Sequence, residues 1–292
     1  MTEKEKLKAG TVVLIGRPSV GKSTLLNNLL GQKISIISSK PQTTRFPIQG
    51  VYNDQQGQIV FIDTPGIFEK VEGRVSAKIN SIASRQINNA DLILYLVDRT
   101  RPPGSEENKI LGIIRKINKA KILVINKIDQ LSPVYDSLFL AQEEECDRVI
   151  KVSALKKTNL NRLIEAIFDL LPFGQPLIDP DQLSTPALNI NSKMFIAEII
   201  REKAFWLTKQ EVPYTLGVKV EEVSQRKKGN FYIKAIIYTL ADRYKKMIIG
   251  KKGRTIKKIG SLARKELETI TNKPVFLDLM VETNKHWPEI LL

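Results

Sequence analysis

Between residues 11 and 170 the chain alternates short apolar runs, rich in β-branched residues, with stretches whose apolar positions recur at helical spacing. The runs are Thr11–Ile15, Ile48–Val51, Ile59–Ile62, Leu92–Val97, Ile122–Ile125 and Val149–Val152. Strands that are apolar throughout belong in a sheet covered on both faces, so the pattern predicts a doubly wound α/β unit with a parallel sheet. A helix over Asn161–Leu171 closes it, and Pro172-Phe173-Gly174-Gln175-Pro176 and Asp179-Pro180-Asp181 then predict a connection. Beyond it the pattern changes. A helix (Lys193–Trp206) leads to a strand (Thr215–Val223), a turn at Lys228-Gly229-Asn230 and a second strand (Phe231–Leu240). Helices around Tyr244–Thr271 and a strand over Val275–Val281 complete an αββααβ order, that of an α+β domain. The expected division is a first domain over 1–172, a linker over 173–184 with the boundary near Leu183, and a second domain over 185–292.

Length agrees with two domains, since 292 residues exceed one compact unit of usual size. A composition of 42% hydrophobic and 26% charged residues is that of a folded chain. The start, Met1-Thr2-Glu3-Lys4-Glu5-Lys6, is too charged for a secretory leader, and no apolar run approaches the ~20 residues of a membrane span, so an intracellular protein is expected. One cysteine, Cys146, and one histidine, His286, leave no internal disulfide and no metal site of the usual nitrogen and sulfur kind.

Charge adds something the pattern does not. Of the net +15, residues 183–292 carry +10 from 21 basic and 11 acidic side chains, and the first 182 residues carry +5 from 25 and 20. The second domain therefore attracts polyanions.

Gly16-Arg17-Pro18-Ser19-Val20-Gly21-Lys22-Ser23 fits GxxxxGK[ST] between the strand ending at Ile15 and a helical run from Thr24. In that context the backbone N–H groups and the helix N-terminus cradle phosphates, Lys22 reaches the β- and γ-phosphates, and Ser23 supplies a hydroxyl for Mg²⁺. Asp63-Thr64-Pro65-Gly66 ends another strand, placing Asp63 for Mg²⁺ and the Gly66 amide for the γ-phosphate. Asn126-Lys127-Ile128-Asp129 follows Ile122–Ile125. A carboxylate there accepts from both N1–H and the 2-amino group of guanine, donors that adenine lacks, so Asp129 selects GTP and GDP. Asn126 is expected to tie this loop to the phosphate loop, the Lys127 stem to cover the base, and the Ala154 N–H of Ser153-Ala154-Leu155 to bind the guanine O6. In Gln42-Thr43-Thr44-Arg45-Phe46 a threonine, Thr44 in preference to Thr43, is expected to close on Mg²⁺ and the γ-phosphate. Ile67 stands where many GTPases place a water-positioning glutamine, which predicts slow intrinsic hydrolysis carried by Lys22, Mg²⁺ and backbone donors.

In the second domain, Ile249-Gly250-Lys251-Lys252-Gly253-Arg254 lies between helical segments, and residues 243–258 hold eight basic side chains and no acid, Lys257 and Lys258 among them. A GxxG loop in this setting resembles the nucleic-acid-gripping loop of a type II KH domain, with an apolar groove expected from Ile249, Ile256 and Ile259. A rival reading is a signalling GTPase whose basic domain docks on membrane or protein; a second is an RNA scaffold with an idle nucleotide domain.

The chain resembles the bacterial GTPase Era family over nearly its whole length. The likeness lies in GRPxVGKSTLLN (Gly16–Asn27), PQTTR (Pro41–Arg45), DTPG followed by a hydrophobic residue, NKID, and AEIIREK (Ala197–Lys203) leading into VPY (Val212–Tyr214) ahead of GKKG. The resemblance implies a Ras-like GTPase domain and a type II KH domain. It implies GTP-dependent binding of the small ribosomal subunit, with the KH domain holding single-stranded rRNA near its 3′ end during subunit maturation, and also peripheral membrane association. It gives no sign of an obligate oligomer. Ser19 departs from the asparagine common in such loops, which in related GTPases helps hold an activating potassium ion, so potassium stimulation is not carried over. The tail from Asn284 keeps a tryptophan and is shorter and less charged than usual.

Overall fold

Strand β1 (Lys8–Ile15) is buried over its last four residues and starts the first of two units, residues 1–189 and 190–292. The computed structural model describes residues 7–33, 35, 48–65, 85–131, 134–179, 192–209, 211–226 and 230–291. Strands β2 (Ile48–Asp54), β3 (Gly57–Asp63), β4 (Leu92–Asp98), β5 (Ala120–Asn126) and β6 (Arg148–Lys151) join β1 in the order β2-β3-β1-β4-β5-β6. Every residue of β3 and β4 is buried, as a sheet with two covered faces requires.

The sheet is not wholly parallel, contrary to expectation. β2 runs antiparallel to β3 because only Gln55 and Gln56 separate them, too short for a crossover. Gly57 holds φ +140° at this turn, and a Cβ there would lie 1.9 Å from the Lys8 carbonyl oxygen.

Helices α1 (Lys22–Leu29), α2 (Ser105–Ile114), α3 (Asp136–Leu140) and α4 (Leu160–Leu170) flank the sheet. In α4 the buried residues Leu160, Leu163, Ile164, Ile167 and Phe168 recur at three- and four-residue intervals, giving one apolar stripe. From α2, Ile110, Leu111 and Ile114 enter a core with Val13, Ile15, Tyr95 and Leu123. The first residues expected in the linker are bonded to this unit. Gly174 N–H donates to the Leu7 carbonyl at 3.0 Å, and Ile178 exchanges two hydrogen bonds with the Gln58 side chain.

Helix α5 (Ser192–Leu207) opens the second unit and packs on β7 (Leu216–Gln225), reached through the single turn α6 (Val212–Thr215). β7 pairs antiparallel with β8 (Phe231–Thr239). Helices α7 (Asp242–Ile249) and α8 (Arg254–Thr271) then cross over to β9 (Val275–Thr283), parallel to β8. On the helix-covered face Val218, Val220, Ile233, Ala235, Ile237, Val275 and Val281 are buried, as are Ile259, Ala263 and Leu267 of α8.

The AEIIREK segment lies in α5 and buries four charges, Glu198, Arg201, Glu202 and Lys203. They are paired: Arg201 Nε donates to Glu198 Oε1 at 2.7 Å, and Lys203 bonds Glu202 at 2.6 Å and also Glu266 of α8. The tail forms a further turn, α9 (Trp287–Leu291), which the sequence pattern does not predict. Trp287 is buried with Ile236 and Tyr238, and its indole N–H donates to the Thr215 carbonyl at 2.9 Å. Gly217 makes room for it, because a Cβ there would fall 2.5 Å from the ring. Among the described residues, no helix is long and apolar enough to cross a membrane.

Candidate functional site

Because β1, β3, β4, β5 and β6 are parallel, their C-terminal ends share one edge, and the loops that leave it carry the sequence motifs. The loop from Gly16 to Gly21 leads from β1 into α1. Gly21 sits at the N-cap of α1 with φ 106°, and a Cβ there would come 2.3 Å from Asn126 Nδ2. A Cβ on Gly16 would come 2.5 Å from the Leu96 carbonyl oxygen. Both positions need glycine for closeness as well as for backbone angle. Ser19 takes φ 62°, a left-handed conformation that asparagine enters more readily than serine.

Lys22 is buried, and its ammonium donates to the carbonyls of Gly16 (3.0 Å) and Arg17 (3.1 Å). Burial lowers its pKa to about 8, against smaller opposing attraction from Asp63 and Glu106. The sequence places Arg17 among the nucleotide-binding residues, but its side chain turns away. Its Nε pairs with Glu107 Oε1 at 2.8 Å, and Glu107 also accepts the Gly104 N–H at the start of α2. Only the Arg17 backbone remains with the loop. Pro18 and Thr24 are partly buried, and Val20 is buried.

Ser23 and Asp63 meet: Ser23 Oγ donates to Asp63 Oδ2 at 2.7 Å. Ser35, which sequence reasoning misses, donates to the same oxygen at 2.7 Å and is held by two hydrogen bonds with Asn27. No local pattern marks Ser35, since its role comes from α1 folding beside β3. Thr64 Oγ1 donates to the Leu14 carbonyl at 2.7 Å, and Pro65 is buried beside it. Thr44 and Gly66, with Ile67, lie outside the described residues.

Asn126 joins three loops. Its Nδ2 donates to the Val20 carbonyl at 2.8 Å, and its Oδ1 accepts the Ala154 N–H at 2.9 Å. The tie to the phosphate loop is as expected. The Ala154 N–H, expected to face O6, points instead to Asn126, because the side-chain amide has an acceptor left over on the side of β6. Asp129 accepts from Ser153 Oγ, and Ser153 Oγ in turn accepts the Lys156 N–H at 3.0 Å. Lys127, at φ 68°, ion-pairs with the buried Asp98 at 2.5 Å, fixing its stem across the loop. Burial pushes the Asp98 carboxyl up, but hydrogen bonds from Lys127 and from the Thr100 side chain and backbone outweigh it and hold the group below the usual range. Leu155 is exposed.

In the second unit, α7 stops after Ile249. Gly250 (φ 72°), Lys252 (φ 52°) and Gly253 (φ 74°) turn the chain into α8. A Cβ on Gly250 would come 2.2 Å from Thr255 Oγ1, whereas one on Gly253 would meet nothing within 4 Å, so the outer side of the turn is open. Lys251, Lys252, Arg254, Lys257 and Lys258 are exposed around it. A groove of about 490 Å³ lies between α8 and β9, lined by Ile256, Lys257, Gly260, Arg264 and the β9 residues Phe276–Leu279. This corrects the expected lining: Ile259 is fully buried, and Ile249 does not border the groove. The reason is helical phase. Ile259, Ala263 and Leu267 face the sheet, while Ile256, Gly260 and Arg264 follow the adjacent stripe.

Fold and site together define a P-loop protein equipped for a guanine nucleotide and joined to a KH-type unit. A family model described as 50S ribosome-binding GTPase matches residues 11–127, and a KH domain model matches 211–288. GTPase Era of Halothermothrix orenii is 42% identical, covering 97% of this chain and 95% of that protein, and GTPase Era of Aquifex aeolicus is 40% identical, covering 96% and 95%. A solved structure of Era in complex with MgGDPNP and nucleotides 1506–1542 of 16S ribosomal RNA matches with a TM-score of 0.90 and 39% identity, covering 97% of this chain and 95% of that one. A point variant of Aquifex aeolicus Era bound to GDP·AlF4⁻ matches with a TM-score of 0.89 and 40% identity, covering 97% and 96%. The chain belongs to the GTPase Era family.

Proposed function

We propose that this chain binds and hydrolyses GTP and, through its second unit, holds small-subunit rRNA near the 3′ end while the small ribosomal subunit matures. The observation that carries the reading is Asn126, whose one side chain joins the phosphate loop, the NKID loop and the Ser153-Ala154 loop into a single cradle.

The cradle fits nucleotide and metal. Its close-packed glycines leave the backbone bare toward an anion, its lysine is already shielded from water, and its hydroxyl and carboxylate, Ser23 and Asp63, stand together. In this reading Lys22 meets the β- and γ-phosphates, and the backbone N–H groups from Ser19 to Thr24 donate to phosphate oxygens. Ser23, Asp63 and Thr44 hold Mg²⁺, which when bound neutralises charge developing on the phosphoryl oxygens. Thr64 braces the strand end that presents Asp63. Asp129 reads the guanine N1–H and 2-amino group, Ser153 orients Asp129, and the Lys127 stem covers the base. For Ala154 to reach O6 its hydrogen must be shared with Asn126. Hydrolysis proceeds by positioning and electrostatic stabilisation, without a side-chain base.

For RNA, Gly250 and Gly253 bring the backbone close to the sugar-phosphate chain. Lys251, Lys252, Arg254, Lys257 and Lys258 neutralise phosphates, and the groove beside Ile256 receives unstacked bases. The solved Era complex that this chain resembles holds nucleotides 1506–1542 of 16S ribosomal RNA, and the same RNA class is assigned here. The protein works in the cytoplasm, where that RNA is.

Replacing Asp129 with Asn tests the base assignment. Binding of GTP should weaken by two orders of magnitude or more, on the order of 10² to 10⁴, while binding of xanthosine triphosphate improves. Unchanged preference for GTP in a competition assay would refute the assignment.

A further inference from the structure

The GKKG turn and the groove beside α8 lie toward the helix side of β9, and the three-stranded sheet has a second, opposite face. Residues of β9 alternate across the sheet: Val275 and Val281 are buried, whereas Phe276 and Met280 are 59% and 37% exposed. Tyr232 of β8 stands in register with Phe276, and the two rings are nearly parallel, with centroids 5.9 Å apart and 17° between planes. Arg226, just past β7, lays its guanidinium over Tyr232 at 4.2 Å from the ring centre and 5.6 Å from that of Phe276. The Tyr232 hydroxyl donates to Asp278 Oδ2 at 3.2 Å, which fixes its ring. Toward the other end of this face α9 covers Ile236 and Tyr238 with Trp287. Among the described residues, this face is thus covered by α9 at one end and carries the exposed Phe276 ring at the other.

Phe276 also borders the groove, so this aromatic end is continuous with the proposed RNA path. We propose that Phe276 is a stacking platform for an unpaired nucleobase of the same RNA strand where it leaves the groove across the edge of β9, with Arg226 donating to that nucleotide's acceptors. The inference rests on the RNA reading above. A guanidinium lying on Tyr232 occupies the layer in which a base would stack on the neighbouring ring. A base on Phe276 therefore meets Arg226 edge to edge, donor to acceptor, while Met280 extends the apolar floor. An apolar peptide or a lipid chain would use Phe276 and Met280 but not a guanidinium held at stacking height.

The test is a titration of the full chain with RNA corresponding to 16S nucleotides 1506–1542. Wild type, Phe276→Ala, Phe276→Leu, Phe276→Trp and the double variant Lys251→Asp/Lys252→Asp are compared. Loss of one base–aromatic stack weakens binding by roughly tenfold, so the Ala and Leu variants should fall by that factor and the Trp variant should not. Because Phe276 is mostly exposed, these replacements leave the core intact. If the Ala variant binds like wild type while the double lysine variant loses RNA, the platform is refuted and the groove reading stands. If Leu retains full affinity, the contact is merely apolar and stacking is refuted. If wild type itself binds no RNA, both readings fall.

Discussion

Lys22 shows how one buried side chain links sequence, fold and pH. Burial lowers its pKa from 10.5 to about 8, so the folded chain releases a proton that the unfolded chain keeps until about 10.5. The penalty for folding around a charged lysine is therefore present below about 8 and is relieved as pH rises toward 10.5, which makes this contribution to stability increase with pH. Nucleotide binding has the opposite sign, because the phosphates need the charged form. GDP affinity should fall as pH passes above about 8, while guanosine, which lacks phosphates, should show no such step. Calorimetric titration from about pH 7 to about 8.5 spans the shifted value while the guanine N1–H that Asp129 reads is still in place, and a GDP affinity that stays flat would contradict the assignment of Lys22 to the phosphates. At this scale the chemistry-bearing residues were legible in the sequence, since GxxxxGK[ST], DTPG and NKID name their own positions. The wiring between them was not. Ser35 on Asp63, Asp98 on Lys127 and Glu107 on Arg17 arise from contacts between distant strands and helices, which no local spacing records.

At the level of elements, apolar alternation was a sound guide to strands. β8 and β9 begin at Phe231 and Val275, as expected, and α5 exceeds its expected span by one residue at each end. Two features were hidden. The reversed pairing of β2 depends on the two-residue turn at Gln55-Gln56, whose meaning lies in connection length and not in periodicity. The α9 turn depends on Trp287 finding the space above Gly217, far earlier in the chain. The AEIIREK segment illustrates a further limit: read alone, its four charges suggest a solvated face, yet all four are buried in pairs. Removing one partner leaves the other charge buried without a counter-charge. Arg201→Ala should destabilise the second unit by about 3–5 kcal/mol, whereas replacing Arg201 and Glu198 together by Met and Leu should cost far less. Urea unfolding followed by Trp206 and Trp287 fluorescence reads the difference, and equal losses for the single and double variants would contradict the pairing.

At the scale of the whole molecule, the chain joins two units with separable chemistry. The first gathers its motifs at one edge of a mainly parallel sheet, where strand ends and a helix N-terminus converge on phosphate and base. The second turns a GKKG loop and a basic helix start outward beside a groove, and carries twice the net charge of the first 182 residues. Charge partition and the two motif sets were legible without coordinates. The groove's true lining was not, because it depends on which stripe of α8 faces the sheet.

If a guanine nucleotide occupies the first unit while unpaired RNA lies across the second, the two activities can be separated by substitution. Binding of Mg-GDPNP and of RNA matching 16S nucleotides 1506–1542 to one preparation of Lys251→Asp/Lys252→Asp, over a salt series, tests it most directly. Nucleotide affinity should be unchanged, RNA affinity reduced by one or more orders of magnitude, and the salt dependence shallower by about two released counterions. RNA bound as tightly and with the same salt slope as in wild type would contradict it.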